Sequence, residues 1–201
     1  MSTNLKTQTQ TQLMSDFNPS IPDTFQGKIS IEHVRQAVAK LEAMDMAHKE
    51  QLAGEIAQVQ PALFASFLAQ RKAGVSYEKM EFLLNILFVC YLAMKESGRK
   101  WPAITADDVD ACMARYVESV KFGMDLDPAQ RHELVLQFVA QHPEQALLAY
   151  VQVETASWLR RVSPEDSDRF VMLAAVNMVN CIGYARSMDF DSYSPTGNHA
   201  P

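Results

Sequence analysis

Four carboxylates fall in two pairs at helical spacing, Glu78 with Glu81 and Glu165 with Asp168. Two such pairs brought face to face could bind a cation through their oxygens. The same side chains in the first turn of a helix have a plainer use, because unpaired N–H groups and the helix dipole favour negative charge there. That structural use is the expectation. A second pattern, Asp45-x-x-His48, approaches the Glu-x-x-His ligand pairs of carboxylate di-iron bundles. Its aspartate stands at an expected helix start, however, and the corresponding Asp127-x-x-Gln130 lacks the imidazole. His33, His48, His132, His142 and His199 fall mostly at helix starts or on polar faces, so they read as surface residues and no metal is expected. With no Gly-rich phosphate loop, Gly-x-Ser-x-Gly elbow or Cys/His nucleophile signature, the sequence offers no catalytic residue and calls for no cofactor.

Asn177, Asn180 and Tyr184 share one face of an otherwise apolar segment. Buried amides must find hydrogen-bond partners, so a satisfied polar seam between helices is the first reading. The sharper alternative is the polar floor of a small-ligand pocket, since such pockets are mostly apolar with a few placed polar groups. Cys90, Cys112 and Cys181 lie in apolar runs without CxxC spacing and read as reduced core thiols of a cytoplasmic protein. The net charge of −6 and the lack of a basic stripe argue against nucleic acid as a partner. Residues 82–94 and 170–185 are apolar but shorter than the roughly 20 residues a spanning helix needs, and no membrane partner is expected.

The elements that must position these residues are helices throughout. No sustained period-2 alternation and no Asn-Gly or Asp-Gly hairpin turn is present, so the fold class is all-α. Ser30, Asp45, Ser76, Thr105, Asp127 and Ser163 suit N-caps, and Pro61, Pro128, Pro143 and Pro164 suit first helical positions. Gly74, Gly98 and Gly123 suit left-handed helix ends. These marks predict eight helices, over 31–44, 46–59, 61–73, 77–97, 106–122, 128–141, 143–160 and 164–188. The polar residues 1–27 and the segment 189–201 read as loose tails. The fourth and eighth helices are apolar nearly all round and belong at the centre of the core.

The helix starts also repeat. Ile29-Ser30 with Val34 matches Ile104-Thr105 with Val109, and the sixteen-residue interval from Asp45 to Pro61 recurs from Asp127 to Pro143. The chain therefore reads as an internal duplication of a four-helix unit, residues 28–100 and 101–188, packed as one globular domain in a bundle or a short helical-repeat array. The periods are irregular and the tetratricopeptide signature is missing, so no repeat family supplies a site. Residues 28–100 carry ten Lys/Arg against eight Asp/Glu, and residues 101–201 carry seven against fourteen, an asymmetry that could orient two subunits.

Eleven methionines, a duplicated scaffold and no catalytic constellation point to a non-catalytic helical protein-interaction or regulatory module. The alternative is a small-molecule-binding protein or enzyme with its pocket beside Asn177 and Asn180. Self-association is expected, with helix 164–188 at the contact through residues such as Met178 and Ile182, unless that helix is wrapped by its own bundle.

Overall fold

The computed structural model describes residues 28–124 and 126–184, and within them the backbone forms eight helices and no strand. They are α1 (Ile31–Ala43), α2 (Met46–Val59), α3 (Pro61–Ala69), α4 (Tyr77–Glu96), α5 (Ala106–Met124), α6 (Pro128–Gln141), α7 (Gln145–Leu159) and α8 (Asp168–Tyr184). The chain is all-α. Among the described residues no helix is long and apolar enough to cross a membrane. The two expected tails, residues 1–27 and 189–201, lie outside the described residues.

Four starts are fixed by side chains, as the residue types predict. Ser30 Oγ accepts from the His33 N–H while the His33 ring accepts from the Ser30 N–H, and Thr105 and Asp108 exchange the same two bonds. Asp45 and Asp127 each accept from the N–H three residues on, at 2.9 Å in both cases. Losing a cap of this kind costs about 1 kcal/mol. Gly74 and Gly98, at φ +88° and +64°, supply the left-handed backbone that ends the turn after α3 and closes α4.

Other punctuation is spent differently. Gly123 lies inside α5 without a positive φ, so the helix runs on to Met124. α3 stops at Ala69, and residues 70–74 continue as tight i→i+3 turns. Pro143 does not open α7: the helix begins at Gln145, because Glu144 is held in non-helical backbone (φ −120°, ψ 66°) with its side chain turned toward Ile29. Ser163 and Pro164 do not open α8, which begins at Asp168. The Asp168 carboxylate accepts from the Glu165 N–H and binds Lys79, so residues 163–167 are drawn into a loop around that lysine. Ser76 precedes α4 as expected but makes no side-chain cap, and its buried hydroxyl has no protein partner.

The core is built around α4 and α8, which pack on each other. α1 lies along α4, α5 and α7 lie along α8, and the connections cross over, with α1 touching α7 and α3 touching α5. Leu83, Leu87, Phe88, Val171, Met178 and Ile182 are all within 2 % of complete burial, and each apolar side chain of this size contributes about 2 kcal/mol. Met178 and Ile182 are thus covered inside one chain. The apolar eighth helix does not present itself as a subunit contact; its own neighbours supply the cover.

Candidate functional site

α5 and α8 run parallel and meet turn by turn. The Asn177 amide donates to the Val109 carbonyl at 3.3 Å, and two turns further on the Arg115 guanidinium lies 5.4 Å from the centre of the Tyr184 ring. Asn180, one turn after Asn177, lies beside His142, whose ring meets the Tyr184 ring edge-on at 5.3 Å. The structure therefore brings together all three residues singled out from sequence, and adds His142. Asn177 and Asn180 are both 3 % exposed, and His142 is 1 % exposed rather than on the surface. An imidazole next to Pro143 has the look of a residue at a helix start; the non-helical backbone at Glu144 turns it inward instead.

The tautomer of His142 follows from its partners. Nδ1 accepts from the Glu144 N–H at 3.0 Å, so the neutral ring carries its proton on Nε2. Asn180 is close enough to favour the charged ring slightly, yet no well-directed hydrogen bond joins them, and Nε2 and Asn180 Oδ1 both stay without a protein partner, as does Asn177 Oδ1. Burial dominates and drives the His142 pKa down to about 4. Space is tight here: a Cβ on Gly183 would come within 2.9 Å of His142 Cε1, so only glycine lets α8 approach the ring.

Glu144 is the second buried ionisable group. Its Oε2 accepts from the Ile29 N–H at 2.8 Å, while Oε1 is buried with no partner. Burial pushes the carboxyl above its usual range, against the pull of the Ile29 N–H and the positive charge of Lys28. Gln60 has nearly the same backbone (φ −130°, ψ 61°) ahead of α3, and it reaches across to the other half of the chain in the same way. Its Oε1 accepts from the Ile104 N–H at 2.8 Å and its Nε2 donates to the Pro102 carbonyl at 2.9 Å. The amide satisfies both ends, whereas the carboxylate satisfies one.

That contrast makes a prediction. Glu144→Gln should stabilise the protein at pH 7 by about 1 kcal/mol, because it removes a desolvated charge and keeps the acceptor for Ile29. A raised native pKa means the native state holds its proton more tightly than the unfolded chain, so the wild type loses stability as pH rises from 4.5 through the native value. The advantage of glutamine should therefore fade in acid. Urea unfolding at pH 7 and pH 4 measures it; a glutamine variant that is weaker at pH 7 would contradict the assignment.

The paired carboxylates resolve into an ion cluster of a different kind. Glu165 and Asp168 converge on Lys79, whose side chain is 1 % exposed: Nζ binds Asp168 Oδ1, lies 3.2 Å from Glu165 Oε2 and donates to the Ser163 carbonyl at 3.4 Å. Burial opposes the ammonium charge, but the hydrogen bonds Lys79 donates to Asp168 and Glu165 outweigh it and hold the lysine above its usual pKa. The protein's own cation occupies the place proposed for a bound one, and Glu78 and Glu81 remain exposed on α4. Asp45 Oδ1 and His48 Nδ1 lie 2.6 Å apart, both exposed, as part of the α2 cap. Among the described residues no three His, Cys, Asp or Glu side chains converge as a metal site requires.

One concavity stands apart from the seam. A shallow groove of about 450 Å³ runs along α6, lined by Leu126, Ala129, Gln130, Glu133, Leu134 and Gln137. The residue spacing of this lining is that of one helical face, yet nothing in that spacing distinguishes an open face from a covered one. No family model, curated protein or solved structure matches the chain.

Proposed function

We propose that the chain is a non-catalytic helical interaction module that self-associates through the corner formed by the end of α5 and the length of α6. One observation carries this: none of the described side chains of α6 is buried, although the helix includes Leu134, Val135, Leu136, Phe138 and Val139. Leu136 and Val135 are about two-fifths exposed, and Phe122 at the end of α5 is 63 % exposed. Leu134 comes up against Gly123, which sets the α5 end beside the groove. A helix anchored on one side that leaves apolar side chains such as Val135 and Leu136 in solvent is an arrangement that can receive a second helix.

The duplication belongs to the same reading. Supporting it are the matching caps at Ser30 and Thr105 and at Asp45 and Asp127, and the reciprocal reach of Gln60 to Ile104 and of Glu144 to Ile29. Three unpaired thiols support a reducing compartment such as the cytoplasm. The orphan amide oxygens of Asn177 and Asn180 favour the alternative, a small-ligand pocket on the seam, but a Cβ at Gly183 would already come within 2.9 Å of His142, which leaves that region packed rather than open.

Sedimentation velocity tests the proposal. The wild type should form dimers at micromolar concentration, and Phe122→Glu and Leu136→Glu should yield monomers with unchanged helical circular dichroism, since both side chains are exposed. In a twofold contact each substitution acts twice. A wild type that stays monomeric throughout, or variants that still dimerise, would refute this corner as the contact.

A further inference from the structure

The polar ladder between α5 and α8 has a rung that neither the seam nor the interaction face uses. Asn177 meets Val109 at one level and Tyr184 meets Arg115 two turns on. Between these levels the parallel helices present Cys112 and Cys181 to each other, and the two thiols lie within hydrogen-bonding reach. Arg115 Nη2 donates to Cys112 Sγ at 3.6 Å. We propose that Cys112 and Cys181 are a peroxide-responsive dithiol that closes to a disulfide across α5 and α8.

The two sulfurs are not equivalent. The neighbouring Cys181 thiol and the Arg115 guanidinium, which donates to Sγ, hold Cys112 below the usual thiol range, while the proximity of Cys112 and its own burial push Cys181 up. Cys112 is thus the attacking thiolate and Cys181 the resolving thiol. Cys90, fully buried in α4, has its pKa raised to about 12 by desolvation and serves as an internal control. Cys112 is 2 % exposed, but Arg115 on the next turn is exposed and Tyr184 is half-buried, so peroxide has one helical turn to cross when the helix end opens.

The oxidant is hydrogen peroxide. The Cys112 thiolate attacks one peroxide oxygen and the O–O bond breaks, leaving Cys112 as a sulfenic acid. The departing hydroxide takes up the proton that Cys112 had released and becomes water. Cys181 then attacks the Cys112 sulfur, the S–S bond forms, and the sulfenic oxygen leaves as a second water with the Cys181 proton. Two thiols are oxidised by two electrons and one peroxide is reduced to two waters.

Thiol counting and peptide mapping on the full chain test this. After peroxide treatment under native conditions, titratable thiols should fall from three to one. Tryptic digestion without reductant should yield the peptide 101–115 linked to 170–186. In Cys181→Ser the sulfenic acid on Cys112 should persist and react with dimedone, and in Cys112→Ser the remaining thiols should stay reduced. Circular dichroism establishes that each variant is folded. Three thiols surviving in the folded wild type, Cys90 reacting as fast as Cys112, or dimedone labelling without any linked peptide in the wild type would each overturn the proposal.

Discussion

Lys79→Ala should be the most destabilising of the single substitutions considered, lowering the unfolding free energy by about 3 kcal/mol. Three contributions act together. The four-carbon stem is buried, with 1 % of the side chain exposed, so truncation leaves a void. Asp168 and Glu165 lose the charge that draws them together, and the Ser163 carbonyl loses a donor. The loop of residues 163–167 then has little to hold it against the start of α4. Discounting is needed on one side only: Glu165 is 42 % exposed and returns to water at small cost, whereas Asp168 is 20 % exposed and must also begin α8.

Lys79→Met separates packing from charge. It keeps most of the stem, so it should lose roughly half as much as alanine. The sign of the pH dependence is also fixed: a lysine whose native pKa is raised contributes stability that is complete below its ordinary value near 10.5 and is lost as pH rises through the native value. Urea unfolding followed by circular dichroism reads both effects. An alanine variant within 0.5 kcal/mol of wild type, on the order of an ordinary surface change, would show that the cluster is solvated rather than structural.

Acidification should produce the second large effect through His142. Its native pKa of about 4 lies below the 6.5 of a free imidazole, so the unfolded chain takes up a proton that the native chain refuses. Stability contributed by this residue is complete above pH 6.5 and is lost as pH falls toward 4, a loss of roughly 3 kcal/mol over the window. Glu144 acts in the opposite sense over part of the range, because its native state binds a proton more readily. The two must be measured apart. In a Glu144→Gln background the acid slope should steepen, and His142→Gln should flatten it whatever its effect at pH 7. The His142 ring resonances should stay those of the neutral form down to about pH 4.5. A ring that titrates near 6.5 would place the imidazole in water and remove the seam's central residue.

Most of the helices are legible from local residue patterns alone. Capping and amphipathic spacing are interactions over three or four residues, so Ser30, Asp45, Thr105 and Asp127 could be read as starts from residue type alone. The all-round apolar character of α4 and α8 likewise placed them at the centre, because no polar stripe was left to face water. Asn177, Asn180 and Tyr184 were legible as one face, since that too is a property of a single helix.

Features that depend on partners distant in the chain emerge only from the packed bundle. Ser163 and Pro143 have the right chemistry for helix starts, but Asp168 answers to Lys79, 89 residues away, and Glu144 answers to Ile29, 115 residues away, so both helices begin later. His142 became a buried neutral base because that displaced start turns it toward Gly183. The face of α6 was left open although its apolar spacing resembles that of covered helices. Local patterns encode which side of a helix prefers burial; only the assembled bundle sets which sides find cover, and which buried polar atoms find partners, because desolvation and charge pairing depend on where the other helices come to rest.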